Sequence, residues 1–207
     1  VPKTTQDVEL ALDICRDLSI PIVPRGGGTS QCGQTVGEGL VIDHSKYLRK
    51  VLDLNVAERT VKVEPGIVLD HLNAQLKPHG LWYPVDVSTS AQATLGGMAG
   101  NNSCGSRSIA YGNMVHNVLG ADILLSSRRN ICLSSYQNSS GLERELGDYV
   151  KTLAHDLQPE IASNWPKVMR RVGGYNLDIF NNQSEKPYTS DGSVNLAHLM
   201  IGSEGTL

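Results

Sequence analysis

Aromatic residues are scarce in this 207-residue sequence, which has one Phe, two Trp and seven Tyr. Its core must therefore be built mostly from Leu, Val, Ile and Ala, since the hydrophobic content of 40% is that of an ordinary globular chain. There is no run of like charge and the net charge is only −3, which argues against a nucleic-acid partner and a polybasic membrane patch. No apolar stretch approaches the roughly 18 residues of a membrane-spanning helix.

Cysteine is also sparse, and its spacing excludes a metal clamp. Cys15, Cys32, Cys104 and Cys132 form no C-x-x-C pair, so we expect no zinc, iron–sulfur or other metal site. Isolated cysteines without a signal-peptide pattern are typical of reduced thiols. We therefore expect a cytoplasmic protein, with peripheral association with the inner membrane left open. Because the sequence starts without Met and stops directly after an apolar run, we also expect a domain cut from a longer protein.

Glycine, in contrast, is abundant and clustered. Of 21 glycines, six lie in residues 26–39 and five in residues 96–112. Glycine is used where φ is positive or where the backbone approaches another group closely. Two such loops in one chain are the first indication of a ligand site.

The hydrophobic pattern predicts alternating helices and strands, hence a mixed α and β fold. Thr4 with Asp7 three residues later is typical of a helix start, and Pro21 is expected to end that helix. Further helices are predicted over 67–77, 143–157 and 159–171, and strands over 22–23, 40–43, 60–64 and 118–125. The stretches 84–112 and 126–141 lack such a pattern and are predicted to be loops.

The first glycine cluster is suited to binding an anion. Three glycines follow a short strand, preceded by Arg25 and followed by Thr29 and Ser30. Successive backbone N–H groups in such a loop can point into one concavity and bind phosphate oxygens, although a flexible turn would explain the glycines equally well. A Walker loop is excluded because no Gly-Lys-Ser/Thr triplet exists, and a Rossmann G-x-G-x-x-G is excluded because Gln31 stands at the last glycine position.

Six segments of the sequence occur in an order that is typical of one family. They are PRGGGTS at 24–30, VEPG at 63–66, YPVDVSTSAQATLGGMAGNNSCGSRSIAYG at 83–112, VLGADILL at 118–125, RRVGGYNLD at 170–178 and GSEGTL at 202–207. Together they resemble the FAD-binding domain of the FAD-linked oxidase family, the vanillyl-alcohol-oxidase/p-cresol-methylhydroxylase type. Within that family they are most similar to the glycolate oxidase D subunit, D-lactate dehydrogenase and D-2-hydroxyglutarate dehydrogenase.

The resemblance implies an α+β fold, a PCMH-type FAD-binding domain of two α+β subdomains with FAD bound between them. The subdomains would span about 1–80 and 81–207, and the substrate domain would lie C-terminal to this chain. The cofactor-binding residues that it implies are Pro24, Arg25, Gly26, Gly27, Gly28, Thr29 and Ser30 at the pyrophosphate, then Pro84, Ser88, Thr94, Gly96, Gly97, Asn101, Asn102, Gly105, Tyr111 and Gly112 along the flavin and ribityl chain, with Glu204 and Gly205 near the adenine or the ring.

The activity implied is oxidation of a 2-hydroxy acid, such as D-lactate or glycolate, by hydride transfer to FAD. Thr29 stands where covalent relatives have His, so FAD is expected to be non-covalent. His116 stands where relatives often have an acid, which leaves no carboxylate role there. Arg170 and Arg171 are expected either to contact flavin or substrate or to form a solvated pair. The catalytic residues and electron acceptor cannot be read from this chain, which by itself should be inactive.

Two alternatives stay open at this point. One is a non-catalytic flavin- or nucleotide-binding subunit of a larger complex. The other is an oxidase of another substrate class on the same fold, such as a sugar-acid oxidase.

Overall fold

The computed structural model describes residues 1–127, 129–168, 170–181, 193–204 and 206. Its internal contacts divide the chain into two units. The first comprises Val1–Met98 with Ser126–Arg128, and the second comprises Ala99–Leu125 with Arg129–Leu207. The subdomain boundary near residue 80, expected for the FAD-binding fold, stays a prediction.

The first unit opens with the predicted capped helix. Helix α1 spans Thr5–Asp17, and its N-cap is reciprocal: the Thr4 hydroxyl accepts from the Asp7 amide, and the Asp7 carboxylate accepts from the Thr4 amide at 2.9 Å. Such a capping box satisfies two amides that otherwise lack partners at a helix start. The helix ends ahead of Pro21.

Two small sheets follow in this unit. Strand β1 (Ile22–Arg25) runs parallel to β2 (Leu40–Asp43), with Arg25 opposite Asp43 in the register. Strand β3 (Val51–Asn55), which was not predicted, pairs antiparallel with β4 (Thr60–Val63).

Helix α2 lies within the predicted range, over Leu69–Leu76. It buries Leu69, Leu72 and Leu76, as the helical spacing predicted. Gly80 ends the short 3-10 turn that follows α2, with φ of +69°. The α2 prediction is confirmed, with the start two residues late because Ile67 and Val68 are bonded to the second glycine-rich segment.

The prediction of a loop over 84–112 is wrong in part. Helix α3 spans Leu95–Asn101 and a single turn, α4, spans Ser108–Tyr111. Three glycines in α3 lower its helical propensity, so the pattern alone did not predict it. Its first turn is held by contacts from elsewhere in the first unit: Leu95 N donates to Ile67 O at 3.0 Å, and Gly96 N donates to Pro65 O at 2.8 Å.

The second unit is built on an antiparallel pair of strands and a long helix. Strand β5 (Ala121–Leu124) pairs with β6 (Asn130–Leu133), and α5 covers Gly141–Asp156. Side chains from both elements and from later segments form one core: Ile131, Leu133, Val150, Ala154, Phe180, Leu196 and Ala197.

Two predictions for this unit are wrong. Residues 126–141 are not simply a surface loop, because β6 lies there with Ile131 and Leu133 buried. The second predicted helix is shorter than 159–171: α6 spans Gln158–Asn164 and stops at Trp165, because a residue before Pro166 favours extended backbone.

The predicted α+β class is confirmed, since helices and small separate sheets make up both units. Among the helices of the described residues, none is both long enough and apolar enough to cross a membrane.

Candidate functional site

The first glycine loop packs directly against the second within the first unit. A Cβ at Gly26 would overlap Thr94 Oγ1, and a Cβ at Gly27 would overlap the Gln92 carbonyl oxygen. Thr94 itself is 1% exposed. Glycine is therefore required at both positions so that the two loops can touch, a reason that the sequence alone did not reveal.

The backbone amides of residues 26–30 donate to no acceptor among the described residues. All five residues are partly buried. Buried backbone N–H groups are almost always paired with protein, water or a ligand. A phosphate group, which offers several acceptor oxygens, fits this donor set.

Arg25 closes one side of this loop. Its Nη1 donates to Asp43 Oδ2 at 3.3 Å, and its guanidinium lies over Gly28, where a Cβ would come within 2.6 Å of Nη2. Gly28 has φ of +65°, so a side chain there is disfavoured for two reasons. Arg25 is thus held at the loop by an ion pair.

Asp43 is a neighbour of the candidate site that the sequence did not indicate. Its Oδ1 accepts from both the amide and the hydroxyl of Ser45, at 2.8 and 2.6 Å. Burial raises the pKa of the Asp43 carboxyl, but the Ser45 hydrogen bonds and the Arg25 charge outweigh it, so the pKa lies below its usual value. The contact arises from the sheet: Arg25 and Asp43 end adjacent parallel strands, whose carboxyl ends meet at one edge, and the predicted strand over 22–23 did not reach Arg25.

His44 lies between Asp43 and Ser45 in the chain and has no assigned role. Its Nδ1 is buried and has no hydrogen-bond partner in the part of the chain that the structure describes. Burial lowers the pKa of this imidazole. The neutral form is therefore favoured next to the loop.

The rest of the second glycine-rich segment divides between exposed and buried positions. In the first unit, Ser88 and Gly97 are exposed, while Pro84 and Gly96 are partly buried. A Cβ on Gly96 would lie 2.7 Å from Pro65 Cβ, so this glycine serves the packing of α3.

In the second unit, Asn101 and Glu204 are brought together. Asn101 Nδ2 donates to Glu204 Oε2 at 2.6 Å, and Asn101 Oδ1 accepts from the Ser103 hydroxyl at 3.1 Å. The two predicted segments thus meet although about half the chain separates them. Gly205 lies outside the described residues.

Asn102 has a different environment. It is fully buried, with φ of +52°, and its side chain donates to Arg171 O at 3.2 Å and accepts from Val115 N at 3.0 Å. Both amide atoms are therefore used inside the protein. Asn102 fixes the end of α3.

The remaining predicted positions lie around α4. Gly105 N donates to Ser108 Oγ at 3.0 Å, and Gly105 O accepts from Arg170 Nη1 at 3.2 Å. Tyr111 is 49% exposed, and Gly112 has φ of +78° with the His116 ring packed against it. Asn113 N donates to His116 Nδ1 at 2.9 Å, so His116 caps a turn.

Comparison with known proteins identifies related chains. Residues 1–128 match the model of a family described as FAD binding domain. D-2-hydroxyglutarate dehydrogenase of Haemophilus influenzae is 34% identical over 221 aligned residues, covering 100% of this chain and 21% of that protein. Glycolate oxidase subunit GlcD of Bacillus subtilis is 33% identical over 127 residues, covering 61% of this chain and 27% of that protein.

A solved structure supports the fold. The 6-hydroxy-D-nicotine oxidase of Arthrobacter nicotinovorans matches with a TM-score of 0.58 and 20% identity, over 64% of this chain and 28% of that one. The chain thus spans about a fifth to a quarter of the length of the curated relatives that it matches.

Proposed function

This chain belongs to the FAD binding domain family and its cofactor is FAD, and from that premise we propose that it binds FAD non-covalently, with the pyrophosphate at residues 24–30. The observation that carries this proposal is that the amides of residues 26–30, which are partly buried residues, donate to no acceptor among the described residues. Thr29 in place of a linking His supports the absence of a covalent bond.

The residues of the first loop divide the work of binding. Backbone amides of Gly26, Gly27 and Gly28 would donate to phosphate oxygens, and the hydroxyls of Thr29 and Ser30 would add further donors. Arg25 would offset the negative charge from the position in which Asp43 holds it.

The second segment would hold the rest of the cofactor. Thr94 and Asn102 are buried against protein, so their proposed part is to fix the loops. The other positions that we propose at the cofactor are Pro24, Pro84, Ser88, Gly96, Gly97, Asn101, Gly105, Tyr111, Gly112, Glu204 and Gly205.

We propose a 2-hydroxy acid as the substrate of the whole protein. Support comes from the relatives, whose names specify D-2-hydroxyglutarate and glycolate. The chemistry that FAD supplies when bound is acceptance of a hydride from the carbon bearing the hydroxyl. Because the relatives extend far beyond the aligned region, we assign the substrate-binding groups to sequence outside these 207 residues.

We propose a cytoplasmic location as well. Among the described residues, no disulfide joins any of Cys15, Cys32, Cys104 and Cys132, and Cys15 is buried. Cysteines without disulfides are typical of a reducing compartment.

FAD binding is tested on the purified chain. Visible absorption should show bound flavin, heating should release all of it into the supernatant, and ADP should compete with FAD because it carries the same pyrophosphate. Arg25→Ala should weaken FAD binding about tenfold, as expected for a lost charged hydrogen bond. Arg16→Ala removes an arginine from an exposed ion pair on α1 and is the matched control. No bound flavin, or flavin retained by the denatured pellet, would contradict the proposal.

The substrate class is tested separately, on the longer protein. D-2-hydroxyglutarate, D-lactate and glycolate should each be tried for bleaching of the flavin absorbance without oxygen, with the L enantiomers of the first two as controls. A flavin that none of them reduces would overturn the 2-hydroxy-acid proposal and leave FAD binding intact.

A further inference from the structure

Arg171 lies at the centre of a partly buried polar cluster in the second unit. Its Nη2 donates to Asp178 Oδ1 and, at 3.3 Å, to Asn176 Oδ1. The Arg171 and Asp178 side chains are only 16% and 15% exposed, and the guanidinium lies 5.1 Å from the centre of the Trp165 ring. The expectation of a solvated arginine pair is therefore wrong for Arg171.

The cluster is tied to two separate segments. On one side, the Arg171 carbonyl accepts from Asn102 Nδ2, at the end of α3. On the other side, Asn176 Nδ2 donates to the Ile201 carbonyl at 2.7 Å, and Asn176 is 2% exposed. The Arg171 guanidinium donates to the amide oxygen of Asn176. This fixes the orientation of the Asn176 side chain in which its Nδ2 can donate to the Ile201 carbonyl.

Those two segments are bonded to each other as well. Gly202 N donates to Ala99 O at 3.1 Å, and Glu204 N donates to Gly100 O at 2.9 Å. Ala99 O also accepts from Asn102 N at 3.0 Å. The Gly100 carbonyl is one of the last carbonyls of α3, which have no intrahelical partner, and the Glu204 amide supplies one. A Cβ at Gly202 would also lie 2.5 Å from Gly174 O, which leaves little freedom in this docking.

The position of Glu204 needs such support. A carboxylate is electrostatically disfavoured near the carbonyl end of a helix. The bond from Asn101 compensates only while residues 201–204 stay docked on α3. Asn176 secures this docking through its bond to the Ile201 carbonyl, and Arg171 supports it through its bond to Asn176.

We propose that Arg171 is a positioning residue for FAD: with Asp178 and Asn176 it holds residues 201–204 against α3, so that Asn101 and Glu204 form one fixed polar surface for the cofactor. Arg171 itself does not contact FAD in this arrangement. The proposal rests on the proposed function, in which Asn101 and Glu204 lie at the cofactor.

The test compares Arg171→Met with Val150→Ala, a core variant of the same unit that lies in neither segment. FAD affinity is measured by quenching of flavin fluorescence at a temperature well below both melting points. We expect Arg171→Met to weaken FAD binding about tenfold or more, and Val150→Ala to change it less than about twofold. Equal affinities in the two variants would overturn the proposal.

A double variant separates positioning from stability. In Arg171→Met with Asp178→Leu, apolar side chains replace the partly buried pair, an exchange that often restores stability where the pair is shielded from water. We expect its melting temperature to recover while FAD affinity stays low, because Asn176 is still not held. Recovery of FAD affinity together with the melting temperature would show that Arg171 serves stability alone.

Hydrogen exchange gives a readout that does not need FAD. In Arg171→Met, the amides of Gly202 and Glu204 should exchange faster than in Val150→Ala. Should the wild-type chain bind no FAD, the proposed function fails on that result, and unchanged protection of these amides would separately refute the docking role of Arg171.

Discussion

Arg25 donates from Nη1 to Oδ2 of Asp43 at 3.3 Å, at the point where the parallel strands β1 and β2 both end. The pair is part-exposed, so its Coulomb attraction is screened by solvent. Its importance lies in geometry: it fixes a cation over Gly28, at the loop proposed to hold the pyrophosphate.

The two functions of Asp43 can be separated by two substitutions. Asp43→Asn keeps an acceptor for Ser45 but removes the charge, and should cost less than about 1 kcal/mol of unfolding free energy. Asp43→Ala also removes the two Ser45 bonds and should cost about 2 kcal/mol. Urea unfolding measures both, with Asp17→Ala, an exposed acid on α1, as the control. Equal losses for the two variants would show that the ion pair, not Ser45, dominates.

Gly27 should not tolerate a side chain. An alanine Cβ would overlap the Gln92 carbonyl oxygen, which belongs to backbone and cannot move aside cheaply. We expect Gly27→Ala to destabilise the chain by about 1–3 kcal/mol, the usual range for overpacking, measured by urea unfolding without FAD.

Gly100→Ala is the matched control for that substitution. Gly100 lies in α3, and a Cβ there would meet nothing within 4 Å. Because alanine favours the helix over glycine, the variant should be up to about 1 kcal/mol more stable. A loss of stability in Gly100→Ala similar to that in Gly27→Ala would contradict the contact-based explanation.

Asn102 allows its backbone and side-chain contributions to be distinguished. Asn102→Gly loses the bonds to Arg171 O and Val115 N but tolerates φ of +52°. Asn102→Ala loses the same bonds and must also hold a left-handed backbone, which costs a further ~1 kcal/mol. Alanine should therefore be the less stable variant in thermal unfolding, and the reverse order would show that strain at this residue is negligible.

The fold was predictable where the signal was local. The capping box of Thr4 and Asp7, and the leucines of α2 at helical spacing, are decided by residues a few positions apart. Strand β6 was missed because only Ile131 and Leu133 alternate inward before the pattern ends, and its pairing with β5 supplies the rest.

The candidate site could be proposed from the sequence as segments but not as contacts. Glycine spacing and family resemblance identified both loops, yet neither shows that Gly27 touches Gln92 or that Arg25 pairs with Asp43. The same holds for Arg171, whose partners Asn102 and Asn176 are defined only by the folded backbone. Such contacts depend on tertiary structure, which residue type and spacing do not encode directly.

His198 should make stability depend on pH. It is 1% exposed, and Nε2 lies 3.1 Å from the Val118 carbonyl. Burial lowers the pKa of this imidazole to about 4. In the unfolded chain the pKa returns to about 6.5, so below that pH the unfolded state binds a proton that the folded state does not.

The contribution of His198 to the unfolding free energy is therefore fully present above a pH of about 6.5. It is lost as the pH falls toward 4, by about 3 kcal/mol in total. His198→Gln can keep an N–H donor for the Val118 carbonyl but does not titrate, so its unfolding free energy should fall less over the same range. Burial also lowers the pKa of His44, so His44 adds a pH dependence of the same sign to the unfolding free energy. His44→Gln removes this second contribution. Urea unfolding at a series of pH values measures the difference between wild type and His198→Gln. Parallel pH profiles for these two proteins would show that His198 takes up its proton equally in both states.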